Sequence, residues 1–243
     1  SKKEKGKIHN NIGLAAMTED LDFSVGLIMK KLKELGIENN TYIIYSSDNG
    51  SVPIIVPRRY YKQSYNYPLS RGKWDAMEGG IRVPMIIYGP NIMPNSYSAT
   101  NISFSDLLPT IIDIISSKKI KDKSLDGGSF KDILLGKSKK IKRPTNGLIF
   151  HVPYENGIAL KRAHSAIIQD NYKLVKFYDN NEIQLFDLNT DIYEKNNLSQ
   201  KKGKIAKRLE TYLMNYLSGV KAPKWQPGIT WKYNTLKKIN SFH

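Results

Sequence analysis

The residues best suited to chemistry are Asp48 and Asn49, which end the run Tyr42-Ile43-Ile44-Tyr45-Ser46-Ser47-Asp48-Asn49-Gly50. A carboxylate beside an amide oxygen suits a hard cation such as Ca2+, with Mg2+ as the alternative, and argues against zinc or copper. A competing reading is a tight β-hairpin, since Asn-Gly after an apolar run is a strong local turn signal. A hairpin needs a matching strand at once, however, and Pro53 and Pro57 spoil the ladder of the segment that follows. The run is apolar on both faces and follows a helical pattern, as a central strand of a parallel sheet does. Ligands in such sheets collect beyond the carboxyl ends of strands. Periodicity therefore favours the ligand site, although two oxygens do not complete one.

The elements that must position these residues can be read on either side. Ile12, Ala15, Ala16, Leu21, Val25, Ile28, Leu32 and Leu35 recur at helical spacing, and Gly36 stands where a C-cap belongs. A strand is predicted over residues 41–45 and another from Val83 to Tyr88. Ser105-Asp106 is read as the cap of a helix from Leu107 to Ile115, with Pro109 in its first turn. After a basic loop at 118–123 and a boundary at 137–143, the texture changes. Gly147 to Val152, Ser165 to Gln169, Tyr172 to Phe177 and Ile183 to Asp187 are short β-like segments joined by Asn/Asp turns, which predicts an antiparallel sheet. An amphipathic helix from Ile205 to Leu217 is expected to cover one face, and Trp225, Pro227 and Trp231 read as an extended strap. The expected organisation is an α/β domain over 1–136 and an α+β subdomain over 144–243.

Composition sets the outer bounds. Lys and Arg number 38 against 22 acids, a net charge of +16, which should attract polyanions. The lysines are nonetheless spread from end to end, and the clusters at 137–143 and 201–204 read as solvated loops. No helix-turn-helix, zinc-finger or aromatic RNA-binding pattern occurs, so no nucleic-acid partner is expected. The chain has no cysteine, which excludes disulfides, thiolate metal sites and a Cys nucleophile within it. No run is long and apolar enough to span a bilayer. The opening Ser1-Lys2-Lys3 without Met reads as the interior of a longer protein, so the absence of a signal peptide carries no information.

A third segment, Arg71-Gly72-Lys73-Trp74-Asp75-Ala76-Met77-Glu78-Gly79-Gly80-Ile81-Arg82-Val83-Pro84, resembles the most specific local signature of the type I sulfatases. In that family a G-K segment precedes E-G-G-x-R-x-P and follows a strand ending in D-N-G, as Asp48-Asn49-Gly50 does here. Met17 to Gly26 is similar to the helix before that strand. Asp106-Leu107-Leu108-Pro109-Thr110 and Leu125-Asp126-Gly127 match the motifs that come next, and Tyr172-Lys173-Leu174, Leu185-Phe186-Asp187-Leu188 and Glu194 to Leu198 match the C-terminal pattern. The resemblance covers most of the chain, in order, and corresponds to the family's C-terminal portion.

The resemblance implies part of an alkaline-phosphatase-like, mainly parallel sheet flanked by helices, followed by a small α+β subdomain with an antiparallel sheet and a helix. It implies hydrolysis of sulfate esters, with a sulfated carbohydrate as partner, by a formylglycine nucleophile and Ca2+, in a periplasmic or secreted protein of a bacterium. Asp48 and Asn49 become metal ligands and Lys73 the cation on a sulfate oxygen. Glu78 and Arg82 are expected to pair and shape the loop that presents Lys73, with Gly79 and Gly80 serving its backbone. His151 is a candidate to touch substrate from the C-terminal subdomain, against the alternative of a loop histidine without a role. His164 beside Arg162 is a candidate for the same rim, whereas His9 and His243 receive no role. Two departures stand out: no C/S-x-P-x-R motif occurs, and the Asp pair that completes the family's metal site is missing. The nucleophile is thus expected upstream of this chain, and the chain alone is expected to be inactive. A phosphonate or phosphate ester hydrolase of the same superfamily and a non-catalytic polyanion-binding protein are the alternatives.

Overall fold

The computed structural model describes residues 12–52, 66–116, 124–155 and 162–226. Pro53, Pro57, the basic loop at 118–123, the strap residues Pro227 and Trp231, His9 and His243 lie outside the described residues. The chain divides into two compact units, neither of them continuous in sequence. One takes the described residues of 19–45 and 85–148, and the other those of 1–18, 46–84 and 149–243. The segment between the D-N-G turn and Pro84 therefore belongs with the C-terminal sheet.

That sheet has the order β3 (Leu148–Val152), β4 (His164–Gln169), β5 (Tyr172–Phe177), β6 (Ile183–Asp187). Strands β4, β5 and β6 pair antiparallel, and Gln169 faces Tyr172 across a two-residue turn. Asp170 takes the left-handed φ of 52° that such a tight turn requires. Alternation sends Ile167, Leu174 and Leu185 to one face, where α5 (Gly203–Gly219) covers them with Ala206, Leu209, Leu213 and Leu217 at helical spacing. α5 ends where Lys221 turns left-handed and the Ala222 N–H reaches back to the Leu217 carbonyl at 2.8 Å. Ala166, Val175, Phe177 and Phe186 line the opposite face, and their cover is Ala76 and Met77 from the loop before Pro84. The helical cover was expected; the loop cover was not.

The helix α1 (Ile12–Glu34), most of which belongs to the other unit, stops at Gly36, whose φ of 66° lets the Ile37 N–H return to the Leu32 carbonyl. No residue of α1 is buried, and Met17 and Phe23 stay 66% and 67% exposed. β1 (Ile43–Ser46) pairs with β2 (Met85–Tyr88) in a two-stranded sheet. The Tyr42 hydroxyl at one end donates to the Pro90 carbonyl and the Ser46 hydroxyl at the other end donates to the Pro84 carbonyl, so the two strands run antiparallel. The sheet expected for this region is mainly parallel, and the β1–β2 pair is an antiparallel one. A parallel neighbour requires the chain to cross back to the starting end. This chain instead re-enters beside the point where β1 stops. Among the described residues, no helix is long and apolar enough to cross a membrane.

The helix α3 (Leu107–Ile115) has Asp106 at its N-cap, as expected, and is preceded by a helical turn, Phe104–Asp106. Ser103, not Ser105, opens a capping box in which Asp106 Oδ2 accepts the Ser103 N–H at 2.7 Å. Asp106 is fully buried, and Arg143 grips it with two hydrogen bonds, Nε to Oδ1 at 2.8 Å and Nη2 to Oδ2 at 2.6 Å. Gly128 N–H also donates to Oδ1, and Thr110, on the next turn, donates to the Asp106 carbonyl and accepts from Phe130 N–H. Arg143 is therefore an internal clamp and not the end of a solvated basic loop. α4 (Lys131–Leu134) follows directly. Arg143→Ala would leave a buried carboxylate without its counter-ion, and should destabilise the protein by about 3–5 kcal/mol, read as a lowered denaturation midpoint.

Candidate functional site

The segment 46–84 is held together by close backbone approach. Gly50 N–H donates to the Gly80 carbonyl at 3.0 Å, and a Cβ on Gly50 would sit 1.7 Å from the Gly79 carbonyl oxygen. A Cβ on Gly80 would meet two carbonyl oxygens, those of Asp75 and Gly72, at 2.3 and 2.5 Å. Glycine is needed here for contact distance, as nothing larger than hydrogen fits. Asn66 is the hub: its Oδ1 accepts the Ser51 N–H, while its Nδ2 donates to the Ser51 and Arg71 carbonyls. Lys73 N–H then donates to the Ser51 carbonyl at 2.9 Å. The Asp48–Ser51 turn and the Arg71–Lys73 turn thus lie side by side.

Each expected residue can now be placed. Asp48 is exposed, and its Oδ1 accepts the Asn49 N–H. Asn49 uses its Nδ2 on the Gly50 carbonyl, which leaves its Oδ1 as an acceptor. Carboxylate and amide oxygens that meet no hydrogen-bond donor among the described residues other than that backbone N–H fit a hard cation. Among the described residues no cluster of three or more His, Cys, Asp or Glu could hold a metal, so this pair is at most part of a site. Lys73 is half-buried, flanked by Arg71 and Trp74 at left-handed φ of 63° and 78°. Conformations of that kind cost about 1–3 kcal/mol each and persist only where the surroundings hold them. The Lys73 Nζ lies 5.6 Å from the Trp74 ring centroid, and no carboxylate among the described residues pairs with it. In the same unit Arg82, Arg162, Lys173 and Lys176 are all ion-paired.

Glu78 and Arg82 do pair, at 2.6 Å, as expected, at the ends of the short helix α2 (Glu78–Ile81) and its cap. The expected rim residues are differently placed. His164 is 1% exposed, with Nε2 accepting the Ala76 N–H at 2.9 Å and Nδ1 donating to the Arg162 carbonyl at 2.7 Å. It is a neutral strut between β4 and the Lys73 loop and presents no nitrogen to a substrate. Burial lowers its pKa to about 4, with the nearby cations Lys173, Arg162 and Arg71 acting the same way. Arg162 is neutralised by Asp179 at 2.7 Å and Glu182 at 3.0 Å and stacks on Phe177. His151 places Nδ1 at 2.6 Å from the Ser165 hydroxyl and Nε2 at 2.7 Å from the Pro223 carbonyl, so both nitrogens serve the C-terminal fold. Burial lowers its pKa, opposed by the Pro223 bond.

Sequence reading missed the residues behind the loop. Lys173 of β5 and Glu194 appear in the family pattern but carry no visible sign of burial, and Asn66 carries no signal at all. Asp75 is a further surprise: it is 5% exposed, bonded at Oδ1 to the Met77 N–H, with Arg71 3.8 Å from Oδ2. Burial pushes its pKa from 3.8 to about 7, against the pull of the Met77 N–H and Arg71. Because the folded pKa exceeds the unfolded one, the contribution is complete below the lower value and is lost as pH rises through the higher. Relative to Asp75→Asn, the wild-type chain should lose about 4 kcal/mol of unfolding free energy between about pH 4 and about pH 8, measured by denaturant titration at each pH.

A family model described as Sulfatase matches residues 14–117, and one described as N-sulphoglucosamine sulphohydrolase, C-terminal, matches residues 73–223. A sulfatase of Formosa agariphila is 30% identical over 216 residues, which is 82% of this chain and 37% of that protein. The solved structure of Ps i-CgsB in complex with k-i-k-neocarrahexaose superposes with a TM-score of 0.70 at 22% identity, covering 94% of this chain and 47% of that one. BT4656 in complex with D-glucosamine-2-N,6-O-disulfate gives a TM-score of 0.59 at 24% identity, covering 82% and 37%. These likenesses show the alkaline-phosphatase-like α/β fold, and the chain spans less than half the length of each protein named. Two overlapping matches that run together from residue 14 to residue 223 leave one assignment: the chain belongs to the sulfatase family and corresponds to its C-terminal portion.

Proposed function

We propose that this chain supplies part of the active site of a sulfuric ester hydrolase acting on a sulfated carbohydrate. The observation that carries the proposal is Lys73. It is a half-buried lysine without a carboxylate partner among the described residues, held by strained backbone beside the Asp48–Asn49 turn. A cation held so is pre-arranged for an anionic group, and its value is greatest where charge builds on a sulfate oxygen during S–O cleavage. Asp48 and Asn49 would offer two oxygen ligands to Ca2+, with Mg2+ as the alternative, and the remaining ligands and the formylglycine nucleophile would come from residues not in this sequence. Bound there, the metal would supply Lewis acidity at the reacting sulfate.

The neighbours solved with a neocarrahexaose and with a disulfated glucosamine support the substrate class, and the net charge of +16 suits a polyanionic substrate. A periplasmic or secreted location fits an enzyme that meets such polymers. On this reading His164 and Arg162 position the loop and take no part in binding, and His151 belongs to the subdomain's own hydrogen bonding.

The test is Lys73→Ala in the full-length product of the gene. Turnover of an aryl sulfate or sulfated sugar should fall about 100- to 1000-fold with the circular dichroism spectrum unchanged; undiminished turnover sinks the role of Lys73. Faster turnover of a phosphonate monoester than of any sulfate ester would favour the phosphonate hydrolase. The 243-residue chain by itself should hydrolyse no aryl sulfate, because it contains no C/S-x-P-x-R motif. Chelation of the full-length product should abolish activity, with Ca2+ restoring it more fully than Mg2+. Salt-dependent polyanion binding that ignores both chelation and Lys73→Ala is the result expected of a non-catalytic binder.

A further inference from the structure

Lys173 is a fully buried cation in the middle of the C-terminal sheet. It lies on the same face of β5 as Val175 and Phe177, the face covered by Ala76 and Met77. Its Nζ is 3.0 Å from Glu78 Oε1 and 2.7 Å from Glu194 Oε1. The other oxygen of Glu194 accepts the Glu78 N–H at 2.8 Å, and the other oxygen of Glu78 meets Arg82 Nε at 2.6 Å. The contacts close a ring from the Glu78 side chain through Lys173 and Glu194 back to the Glu78 backbone. Two cations balance two carboxylates.

The ring is built at a cost. Glu194 is held at a left-handed φ of 56° by a turn in which the Asp191 carbonyl accepts the Glu194 N–H and the Asp191 carboxylate accepts the N–H groups of Lys195 and Asn196. A buried ion set also contributes little net stability compared with well-packed apolar residues. Its specific product is the placement of backbone. Glu194 fixes the N–H of Glu78 and His164 fixes the N–H of Ala76, five and three residues beyond Lys73. We infer that Lys173 and Glu194, with His164, are positioning residues that set the direction of Lys73. This rests on the reading of Lys73 as the cation that takes the sulfate group.

The test variant is Lys173→Met combined with Glu194→Gln, which removes one charge of each sign and leaves Glu78 paired with Arg82. In the full-length product of the gene, hydrogen exchange at the Ala76 and Glu78 amides should quicken about 10-fold or more, while the Leu174 amide is unchanged. Equal exchange at all three overturns the inference. In the full-length product the same variant should lower kcat about 10- to 100-fold. It should have little further effect when Lys73 is already Ala, because the two changes act through one group. An equal loss with and without Lys73 also overturns the inference. If Lys73→Ala alone leaves turnover unchanged, the proposed role of Lys73 falls and this inference with it, whereas unchanged exchange counts against the inference alone. Should the paired variant not fold, Glu194→Gln carries the same expectation at the Glu78 amide.

Discussion

A sheet whose strands are apolar on both faces needs two covers, and that requirement organises the C-terminal unit. Ile167, Leu174 and Leu185 face α5, while Ala166, Val175, Phe177 and Phe186 face a loop that arrives some 90 residues earlier in sequence. Hydrophobic burial alone would attach such a loop only loosely, because apolar contact has no direction. Hydrogen bonds give the direction: Ala76 N–H to His164 and Glu78 N–H to Glu194. The loop that presents Lys73 is thus the lid of a hydrophobic core. Residues at its margin inherit a rigidity that a surface loop of the same sequence would lack.

Buried charge has two distinct uses in this chain. Arg143 and Asp106 form a bidentate pair that ties the start of α3 to a segment 37 residues away, with Ser103 and Gly128 filling the remaining acceptor sites. Such a pair is satisfied at every lone pair, which is what makes it tolerable in the interior. The Lys173 ring is larger, closes through a backbone N–H, and sits beneath the candidate anion site. Asp75 is the poorly satisfied member nearby, with one oxygen bonded and the other only within 3.8 Å of Arg71. Its raised pKa reflects burial, which the Met77 N–H and Arg71 offset only in part. His164 shows the opposite solution, remaining neutral because one nitrogen donates while the other accepts.

Much of the fold was legible because its elements obey local rules. The four strands and two long helices fall within two or three residues of the positions that periodicity assigns, and Gly36 caps α1 as its place in the sequence suggests. Asp106 stands at the N-cap of α3 as expected, but the helical turn before it, opened by Ser103, was not legible because Ser103, Ser105 and Asp106 all carry capping chemistry. The antiparallel direction of β2 was not legible, since strand direction depends on the path of the intervening loop and not on the strand's own residues. Asp48 and Asn49 were found because an apolar run stops at them. Asn66 was not, because its role is to bridge two backbones that meet only in three dimensions.

The sequence by itself determined the family, the order of the elements and the candidate groups for an anion and a hard cation, because each depends on residue types at short spacing. It also determined that Glu78 and Arg82 would pair, four residues apart on one turn of helix. Tertiary structure decided which cations are spent in ion pairs. Arg162, Lys173 and Lys176 read in sequence like any other basic side chains, yet each meets carboxylates brought from 17 to 95 residues away. It also decided that His164 is a buried strut, bonded to the Ala76 N–H and the Arg162 carbonyl. Burial and partnership depend on what the rest of the chain places opposite a side chain, and a linear pattern holds no record of that.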